Sequence, residues 1–393
     1  MSQDAIVIVG MARTPMGGLL GDLSTVPASD LGAVAIQGAL ASAGIEGDAV
    51  NETIMGCVLP AGQGQAPARQ ASRKAGIPDV TGAVTINKMC GSGMQAMMQA
   101  HDSLKAGTNS VVVAGGMESM SLAPHILPTG RTGVKYGNAQ MLDHMALDGL
   151  TDAYAGEPMG VFAELCAAEY QFTREAQDAY AIRSLERAQR AIEDGSFDGE
   201  VVPVTVKSRR GDVEVATDEQ PPKARLDKIP GLRPAFKKDG TVTAANASSI
   251  SDGAAALVMM TAGEAEKRGL KPLAKLVAHA NHGQAPEWFT TAPVKAMEKV
   301  LDKAGWTVAD VDLFEVNEAF AVVAMAAIQE LGLDPEKVNV NGGACALGHP
   351  IGASGARICV TLINALKKRG LKKGVASLCI GGGEATAVAI ELA

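Results

Sequence analysis

The chain has 393 residues, of which 47% are hydrophobic and 20% are charged, and this composition predicts a folded protein of two or three domains with a substantial core. Its formal net charge of −8 disfavours general binding to nucleic acid or to anionic membranes. No uncharged apolar run reaches the roughly 18 residues of a membrane-spanning helix, and the first ten residues carry Asp4 and no basic leader. We therefore expect a cytoplasmic protein.

The cysteine pattern narrows the class of protein further. The six cysteines form no CxxC pair and no zinc-type cluster with histidine. We therefore expect reduced thiols, no disulfide framework and no metal site.

The first half of the chain contains an ordered series of structural signals. Residues 31–44 have helical apolar spacing and end in Ala-Gly, a natural helix stop, and a strand is predicted soon after, at 52–58. The segment VTINKMCGSG (84–93) then predicts a strand, a Gly-rich turn and the start of a helix. This helix leads to the apolar strand VVVAGG (111–116).

The second half repeats this series with the same spacing. A helix ending in Ala-Gly is predicted at 294–305, and a strand follows within DLFEVNEAF (312–320). The segment VNVNGGACALGHPIGASG (338–355) corresponds to the first Gly-rich turn and leads to ASLCIGGG (376–383). The sequence therefore predicts a duplicated α/β core of largely parallel sheets covered by helices, with ligands near the Gly-rich turns at the strand ends.

The two halves differ by one long insertion. After residue 119 the first half is interrupted until SDGAAALVMM, which begins at Ser251 and supplies the strand that matches ATAVAIEL in the second half. The chain is therefore expected to consist of an inserted loop domain and two core halves, with bounds of 120–249 for the insert, 1–119 plus 250–271 for the first half and 272–393 for the second.

The insert has two features of its own. Residues 174–192 have the spacing of an amphipathic helix. Between Lys207 and Lys238 there are nine basic residues against five acids, which favours an anionic ligand (Lys207, Arg209, Arg210, Lys223, Arg225, Lys228, Arg233, Lys237, Lys238). On charge alone, a solvated and mobile face is an equally good interpretation.

Cys90 and His349 are the first candidate catalytic residues. Cys90 follows a predicted strand and opens a helix, where unpaired N–H groups and the helix dipole are expected to lower the pKa of its thiol. His349 lies in the equivalent turn of the second half, so the duplication predicts that both side chains face a common cleft. A buried structural cysteine and a hydrogen-bonded structural histidine are the alternatives.

Cys379 and Asn317 are further candidates at strand ends. Cys379 precedes three glycines whose N–H groups can point at a developing oxyanion, although a buried strand cysteine is about as good an interpretation. Asn317 ends the strand DLFEV and could position a water or a carbonyl, although alone it reads as a cap or turn residue.

Four blocks in this order resemble the signature blocks of the thiolase family: CGSG (90–93), NEAF (317–320), GHPIGASGAR (348–357) and CIGGG (379–383). The resemblance extends from VIVGMARTP to the C-terminus. It implies a layered αβαβα core of mixed sheets and helices, duplicated, with a loop domain inserted in the first half that holds coenzyme A. It also implies a homotetramer built from tight dimers, with the segment after Met120 mediating assembly.

The resemblance assigns a role to each catalytic candidate. Cys90 is the nucleophile that becomes acylated, His349 activates it and holds the thioester oxygen, and Cys379 is the acid/base. Asn317 is expected to hold a water that completes one oxyanion site with His349, and the N–H groups of Cys90 and Gly381 form the second. Substrate contacts are expected from residues at the pantetheine arm, the acyl end and the phosphates (Ser248, Leu150, Met159, Ala319, Phe320, Lys223).

The chain departs from the short-chain members of this family at several positions. Pro158 stands where they carry a histidine, and an arginine expected near Pro221 and Pro222 is missing, with Lys223 as a possible substitute. The rings of Trp288 and Phe289 are expected to narrow or reshape the acyl pocket. Glu384 has no assigned role.

The predicted activity is reversible acyl transfer, in which two acetyl-CoA give acetoacetyl-CoA and CoA through an acyl-cysteine intermediate. Coenzyme A is then a substrate, and no permanently bound cofactor is expected. A broader-chain 3-ketoacyl-CoA thiolase of fatty-acid breakdown is the alternative. A ketoacyl-synthase-type enzyme is disfavoured by Cys379, a non-enzymatic CoA or lipid binder by Cys90 and His349, and a nicotinamide-dependent enzyme by the absence of GxGxxG after VIVG.

Overall fold

The computed structural model describes residues 4–209 and 211–393. Arg210, one of the basic residues counted above, lies outside the described residues. No helix of the described residues is long and apolar enough to cross a membrane.

The described part of the chain contains fourteen strands, most of them in one large sheet. Their bounds are β1 (Ile6–Arg13), β2 (Gly17–Gly18), β3 (Glu52–Gly56), β4 (Gly82–Ile86), β5 (Val111–Ser119), β6 (His125–Ile126), β7 (Leu142–Asp143), β8 (Val204–Val206), β9 (Val213–Val215), β10 (Ser251–Thr261), β11 (Ala274–Gly283), β12 (Leu313–Val316), β13 (Lys373–Ile380) and β14 (Glu384–Leu392).

Eleven α-helices accompany these strands in the described residues. Their bounds are α1 (Ala28–Ala43), α2 (Pro67–Lys74), α3 (Ser92–Ala106), α4 (Met159–Glu169), α5 (Arg174–Glu193), α6 (Gln220–Lys223), α7 (Ala262–Lys267), α8 (Ala292–Ala304), α9 (Ala321–Leu331), α10 (Ala344–Leu347) and α11 (Ser354–Arg369). The two predicted Ala-Gly stops are real, because Gly44 and Gly305 end α1 and α8 in the left-handed conformation that glycine adopts without strain.

The large sheet shows the duplication. Its order is β12-β13-β14-β11-β1-β10-β5-β3-β4, and the two halves meet where Ile6–Ile8 of β1 pair antiparallel with Ala274–Leu276 of β11. On either side of this seam the strands follow in equivalent order: β10, β5 and β3 in the first half, β14, β13 and β12 in the second.

Helices and half-sheets alternate in five layers. One core lies between the first half-sheet and α1 and α2, a second core surrounds α3 and α11 between the half-sheets, and a third lies against α8 and α9 on the outer face of the second half. Because helices cover both faces of the half-sheets, strands such as Val111–Ser119 are buried at every residue. The central helices α3 and α11 carry the Gly-rich turns at their N-termini.

The expectation of largely parallel sheets is wrong. Parallel pairing occurs only at the two outer parts of the sheet, in β3/β4, β3/β5 and β12/β13, and the other pairs are antiparallel. The reason is clearest in the second half, where β13 and β14 are joined by Gly381–Gly383 alone. Three residues suffice for an antiparallel hairpin but not for the crossover that a parallel pair requires.

The repeat also implies a strand at the start of the segment 338–355, as the counterpart of β4, but this is reduced to a single bridge between Val338 and Phe314. Asn339 adopts a positive φ of 49°, which interrupts an extended strand. Its side chain replaces the lost pairing, because Oδ1 accepts from the N–H of Val316 and Nδ2 donates to the carbonyl of Val316, both at 2.8 Å.

Candidate active site

Cys90 lies in the turn between β4 and α3. This turn is strained and firmly held: Met89 has a φ of +46°, and its N–H donates to Oδ1 of Asn87. Oγ of Ser92, the first residue of α3, accepts from the N–H of Lys88 and donates to the carbonyl of Met89. The side chains of Asn87 and Ser92 therefore hold the backbone of the turn that carries Cys90.

The pKa of the Cys90 thiol is raised to about 11, so the expectation of a lowered pKa at the helix start is wrong. Burial is the largest cause, and the negative charge of Glu118 adds to it. The N–H groups of Gly381 and of Cys90 itself hydrogen-bond the sulfur and lower its pKa, but by less than burial raises it. In the ligand-free protein Cys90 is a neutral thiol, and it needs a base before it can attack.

His349 lies in the turn that precedes α11, and it is buried. Its Nδ1 is 2.6 Å from Oγ of Ser354, and that hydroxyl lies 2.9 Å from the carbonyl of Pro350, to which it donates. Since the Ser354 hydroxyl has one proton, we assign the ring proton to Nδ1, which leaves a lone pair on Nε2. Burial, and then the charge of Arg357, lower the pKa of His349 to about 3, so the ring is a neutral acceptor.

Asn317 stands at the end of β12, beside His349. Its Nδ2 is 3.5 Å from Nδ1 of His349. Within residues 4–209 and 211–393, neither Oδ1 of Asn317 nor Nε2 of His349 has a hydrogen-bond partner, although both atoms are buried. Buried polar atoms without partners are unfavourable, so this pair provides a ready site for a small polar group.

Cys379 is the second-last residue of β13 and is fully buried. The pKa of its thiol is raised well above the usual range, first by burial and then by the negative charge of a Cys90 thiolate. The two sulfurs are thus close enough to influence each other. Ile380 next to it packs against Gly91, where a Cβ would overlap the end of the isoleucine side chain, so the glycine permits a close approach.

One apolar cavity of about 390 Å³ joins these elements. Cys90, His349 and Gly381 line it, together with five of the six predicted substrate residues (Ser248, Leu150, Met159, Ala319, Phe320). A cavity that is mostly apolar, with a few convergent polar groups at one end, is typical of a small-molecule site.

Lys223, the sixth predicted substrate residue, lies elsewhere. It lines a neighbouring cavity of about 360 Å³, which shares Ala244 with the first. Its Nζ is 2.7 Å from Oε1 of Glu219 and 3.3 Å from Oδ2 of Asp22, so its charge is paired within the protein.

The two aromatic residues that were expected to affect the acyl pocket line different cavities. Phe289 lines the active-site cavity and lies edge to face against Phe320, with ring centroids 6.3 Å apart. Trp288 lines a separate surface groove with Tyr170, so its predicted effect on the pocket is wrong. The two adjacent side chains point in different directions because they lie in a short helical turn, where Trp288 departs from helical backbone angles.

Sequence reasoning missed Glu118, a buried carboxylate at the end of β5. It accepts hydrogen bonds from the N–H groups of Val58 and Leu59 in the first half and of Gly352, three residues after His349, in the second. Burial raises its pKa to about 7 against these hydrogen bonds. A charged residue two positions after the apolar run VVVAGG (111–116) was the available signal.

It also missed an ion pair between Lys88 and Glu384. Lys88 is two residues before Cys90, and Glu384 begins β14 just after the Gly381–Gly383 turn. This contact gives a role to Glu384, which had none from the sequence: it ties the turn that carries the first sulfur to the turn that follows the second.

Comparisons with known proteins agree over the whole chain. A family model described as thiolase, N-terminal domain, matches residues 6–263, and one described as thiolase, C-terminal domain, matches residues 270–392. Acetyl-CoA acetyltransferase of Cupriavidus necator is 53% identical over 98% of this chain and 99% of its own length. Acetyl-CoA acetyltransferase 2 of Arabidopsis thaliana is 52% identical over 98% and 97%.

A solved structure is similar to the same extent. The crystal structure of the Bacillus anthracis acetyl-CoA acetyltransferase superposes with a TM-score of 0.97 at 43% identity, and the match covers 99% of both chains.

Proposed function

The chain belongs to the thiolase family, and we propose that it is an acetyl-CoA acetyltransferase, which interconverts two acetyl-CoA with acetoacetyl-CoA and free CoA through acetyl-Cys90. The observation that carries the proposal is the meeting of Cys90 and His349 in one apolar cavity, with Gly381 and the nearby Cys379 contributed by the hairpin at its end. Two relatives that are 53% and 52% identical to this chain are named acetyl-CoA acetyltransferases, which supports the proposal.

In the first half-reaction, Nε2 of His349 takes the proton of the Cys90 thiol, and the sulfur attacks the thioester carbonyl of acetyl-CoA. The N–H groups of Cys90 and Gly381, which point at the sulfur in the free protein, are placed to hold the oxyanion. The carbon–sulfur bond to CoA breaks, and the departing sulfur takes a proton from Cys379. The products are acetyl-Cys90, free CoA, a Cys379 thiolate and a protonated His349.

In the second half-reaction, the Cys379 thiolate removes the α-proton of a second acetyl-CoA. A high thiol pKa makes this thiolate a strong base, as removal of a weakly acidic proton requires. The enolate oxygen is held by His349 and by a water on Asn317, at the two unpartnered buried atoms. The carbanion then attacks acetyl-Cys90, acetoacetyl-CoA forms, and His349 returns its proton to the Cys90 sulfur.

Coenzyme A is proposed to lie along both cavities. The pantetheine arm passes Ser248 and Ala244, and the nucleotide occupies the second cavity, which carries Arg225 and Lys228. These two cations share one acid, Asp227, with nitrogen–oxygen distances of 3.0 and 3.7 Å. They therefore retain more unpaired positive charge for phosphates than Lys223, which stays a predicted contact.

The broader-chain alternative is not favoured, because the curated relatives named above are acetyl-CoA acetyltransferases. Phe289 and Phe236 also close around Phe320 at the acyl end of the cavity, with centroid separations of 6.3 and 6.0 Å.

The division into two core halves and a CoA-binding insert at 120–249 is part of the proposal, and so is a homotetramer. Exposed side chains in the part of the insert that follows Met120 support assembly there, since Tyr136 is 99% and Met141 65% exposed. Six free cysteines agree with the proposed cytoplasmic location, a reducing compartment.

The decisive experiment is a paired measurement of turnover and adduct position. Wild-type protein is expected to cleave acetoacetyl-CoA with free CoA, and brief exposure to acetyl-CoA should leave one acetyl group on Cys90 in peptide mass spectrometry. Cys90→Ala should abolish both signals, whereas Cys166→Ala, a buried cysteine outside the cavity lining, should retain both. An acetyl adduct on another side chain would overturn the proposal.

A further inference from the structure

Among the described residues, one group of metal-ligating side chains lies away from the active-site cavity. It consists of His101, Asp102 and His279, whose ligand atoms all lie within 4.8 Å of one another. His101 and Asp102 are on α3, the helix that begins at the Cys90 turn, and His279 is on β11, the first strand of the second half. The group therefore spans the two halves of the core.

Two imidazole nitrogens converge on one carboxylate oxygen. Oδ1 of Asp102 is 3.0 Å from Nδ1 of His101 and 2.9 Å from Nε2 of His279. The rings meet edge to face, with centroids 4.9 Å apart. The histidine side chains are only 13% and 18% exposed, whereas the Asp102 side chain is 65% exposed. The ligands are thus held by packing, and solvent has access from the carboxylate side.

A β-bulge in β11 turns the side chain of His279 towards His101 and Asp102. Ala274 and Leu276 of β11 belong to the central core, but Ala278 and Ala280 belong to the outer core. In a regular strand all four would share one face; the register shift between Leu276 and Ala278 reverses the alternation. His279 consequently faces the central layer, where α3 lies.

We propose that His101, Asp102 and His279 form a binding site for a divalent transition-metal ion, for which Zn²⁺ is the best chemical match. Two imidazoles and a carboxylate are ligands that Zn²⁺ accepts, and a fourth position is left for water. The two nitrogen–oxygen spacings of 2.9–3.0 Å need to widen slightly to the edge of a zinc tetrahedron, about 3.3 Å for bonds of about 2.0 Å. The two nitrogens lie within 4.8 Å of each other, and the side chains must set this third edge to the same length on binding. Each imidazole must move its proton to the other ring nitrogen, so no proton has to leave the protein.

A metal ion at this site cross-links the two halves of the core. It joins the helix behind the Cys90 turn to the strand that forms the seam with β1. The prediction of no metal site rested on local spacing of cysteine and histidine, and that reasoning could not detect ligands 177 positions apart in the chain. An ion that binds only the folded protein raises its thermal midpoint in proportion to the logarithm of its free concentration.

Zn²⁺ binding to EDTA-treated full-length protein, measured by equilibrium dialysis with metal analysis, tests the proposal. We expect one Zn²⁺ per chain that is retained in His282→Ala, a matched control three residues further along the same strand. His279→Ala and Asp102→Asn should weaken this binding by at least about 100-fold, since even outer-shell changes cost 10–100-fold. Zn²⁺ should raise the thermal midpoint of wild type and His282→Ala but not of Asp102→Asn.

Two further measurements separate this site from the active-site thiols and from misfolding. Cys90→Ala should keep the stoichiometric Zn²⁺, and loss of the ion in that variant would overturn the assignment. Asp102 is largely exposed, so Asp102→Asn should unfold in EDTA at the wild-type temperature even if His279→Ala does not fold. Equal Zn²⁺ affinity in Asp102→Asn and wild type would also overturn the proposal.

Discussion

The Gly-rich turns of the two halves begin the two central helices in the same way, yet they carry different chemistry. Each helix starts with Ser-Gly, at Ser92 in α3 and at Ser354 in α11. Each serine hydroxyl donates to a carbonyl of its own turn, that of Met89 or that of Pro350. In the first turn the hydroxyl accepts from a backbone N–H, whereas in the second it accepts from the ring of His349.

This difference shows how one scaffold can supply both a nucleophile and a base. The first turn is short, so the sulfur of Cys90 stands two residues before its helix and is held by backbone alone. The second turn is longer and includes α10, so a larger side chain fits five residues before its helix and needs a hydrogen bond to fix its orientation. The duplication places the two turns together, and their lengths decide which group each presents.

The largest expected effect comes from replacing Cys379, which tests whether the two sulfurs have different roles. Cys379→Ala should lower the rate of acetoacetyl-CoA formation by roughly 10²–10⁴-fold, the usual contribution of a general acid/base. Acetylation of Cys90 by acetyl-CoA should be slower, because Cys379 no longer protonates the departing sulfur. It should still be detectable by mass spectrometry, because the nucleophile and its base are unchanged. A Cys379→Ala protein that cannot be acetylated at all would contradict separate roles for the two thiols.

Most of the duplicated core could be predicted from the sequence. The duplication appears there as repeated helix stops, Gly-rich turns and apolar strands, which are recognised by local spacing. Cys90 and His349 could be chosen because each lies in one of these turns, and Cys379 because it lies at a strand end just before three glycines. The predicted roles of the site residues still await the experiments above.

What the sequence could not provide depends on long-range packing. The raised pKa of Cys90 results mainly from burial in the folded protein, and the contacts of Glu118 and the Lys88–Glu384 pair join segments far apart in the chain. The missing strand at the start of the segment 338–355 depends on the backbone conformation of Asn339. None of these features has a local pattern.

The second prediction concerns the crossing of the two central helices, where their equivalent glycines meet. A Cβ on Gly93 would come 2.8 Å from the backbone N of Ala356, and one on Gly355 would overlap the backbone N of Met94. Gly355→Ala should therefore lower the free energy of unfolding by about 1–3 kcal/mol, a typical cost of overpacking. Urea unfolding of the variant measures this loss.

Gly231→Ala is the matched control for the crossing. A Cβ at Gly231 meets no atom within 4 Å, and its φ is not positive, so the change alters mainly the entropy of the unfolded chain. Equal stability of the two variants would show that the helices do not approach as closely as described.

The third prediction tests the different use of the two serines. Ser354→Ala removes the acceptor for Nδ1–H of His349 and should lower kcat about ten-fold, which corresponds to about 1.4 kcal/mol for a net hydrogen bond to the ring. KM for acetoacetyl-CoA should change much less, because Ser354 does not line the cavity. Ser354→Thr keeps a hydroxyl and should recover part of the rate, whereas loss of stability without loss of kcat would make Ser354 purely structural.

The smallest expected effect concerns the ion pair that ties the two turns together. Lys88 and Glu384 are 23% and 43% exposed, so solvent screens their attraction, and such pairs contribute about 0–1 kcal/mol. Glu384→Gln should therefore lower the free energy of unfolding by less than about 1 kcal/mol, with the difference from wild type shrinking in high salt. The rate should fall only a few-fold, because the backbone N–H groups that hold the Cys90 sulfur remain in place. A loss of rate as large as that of Cys379→Ala would mean that the charge of Glu384 acts on the reacting atoms, and that the turns are positioned by this pair more than by their backbones.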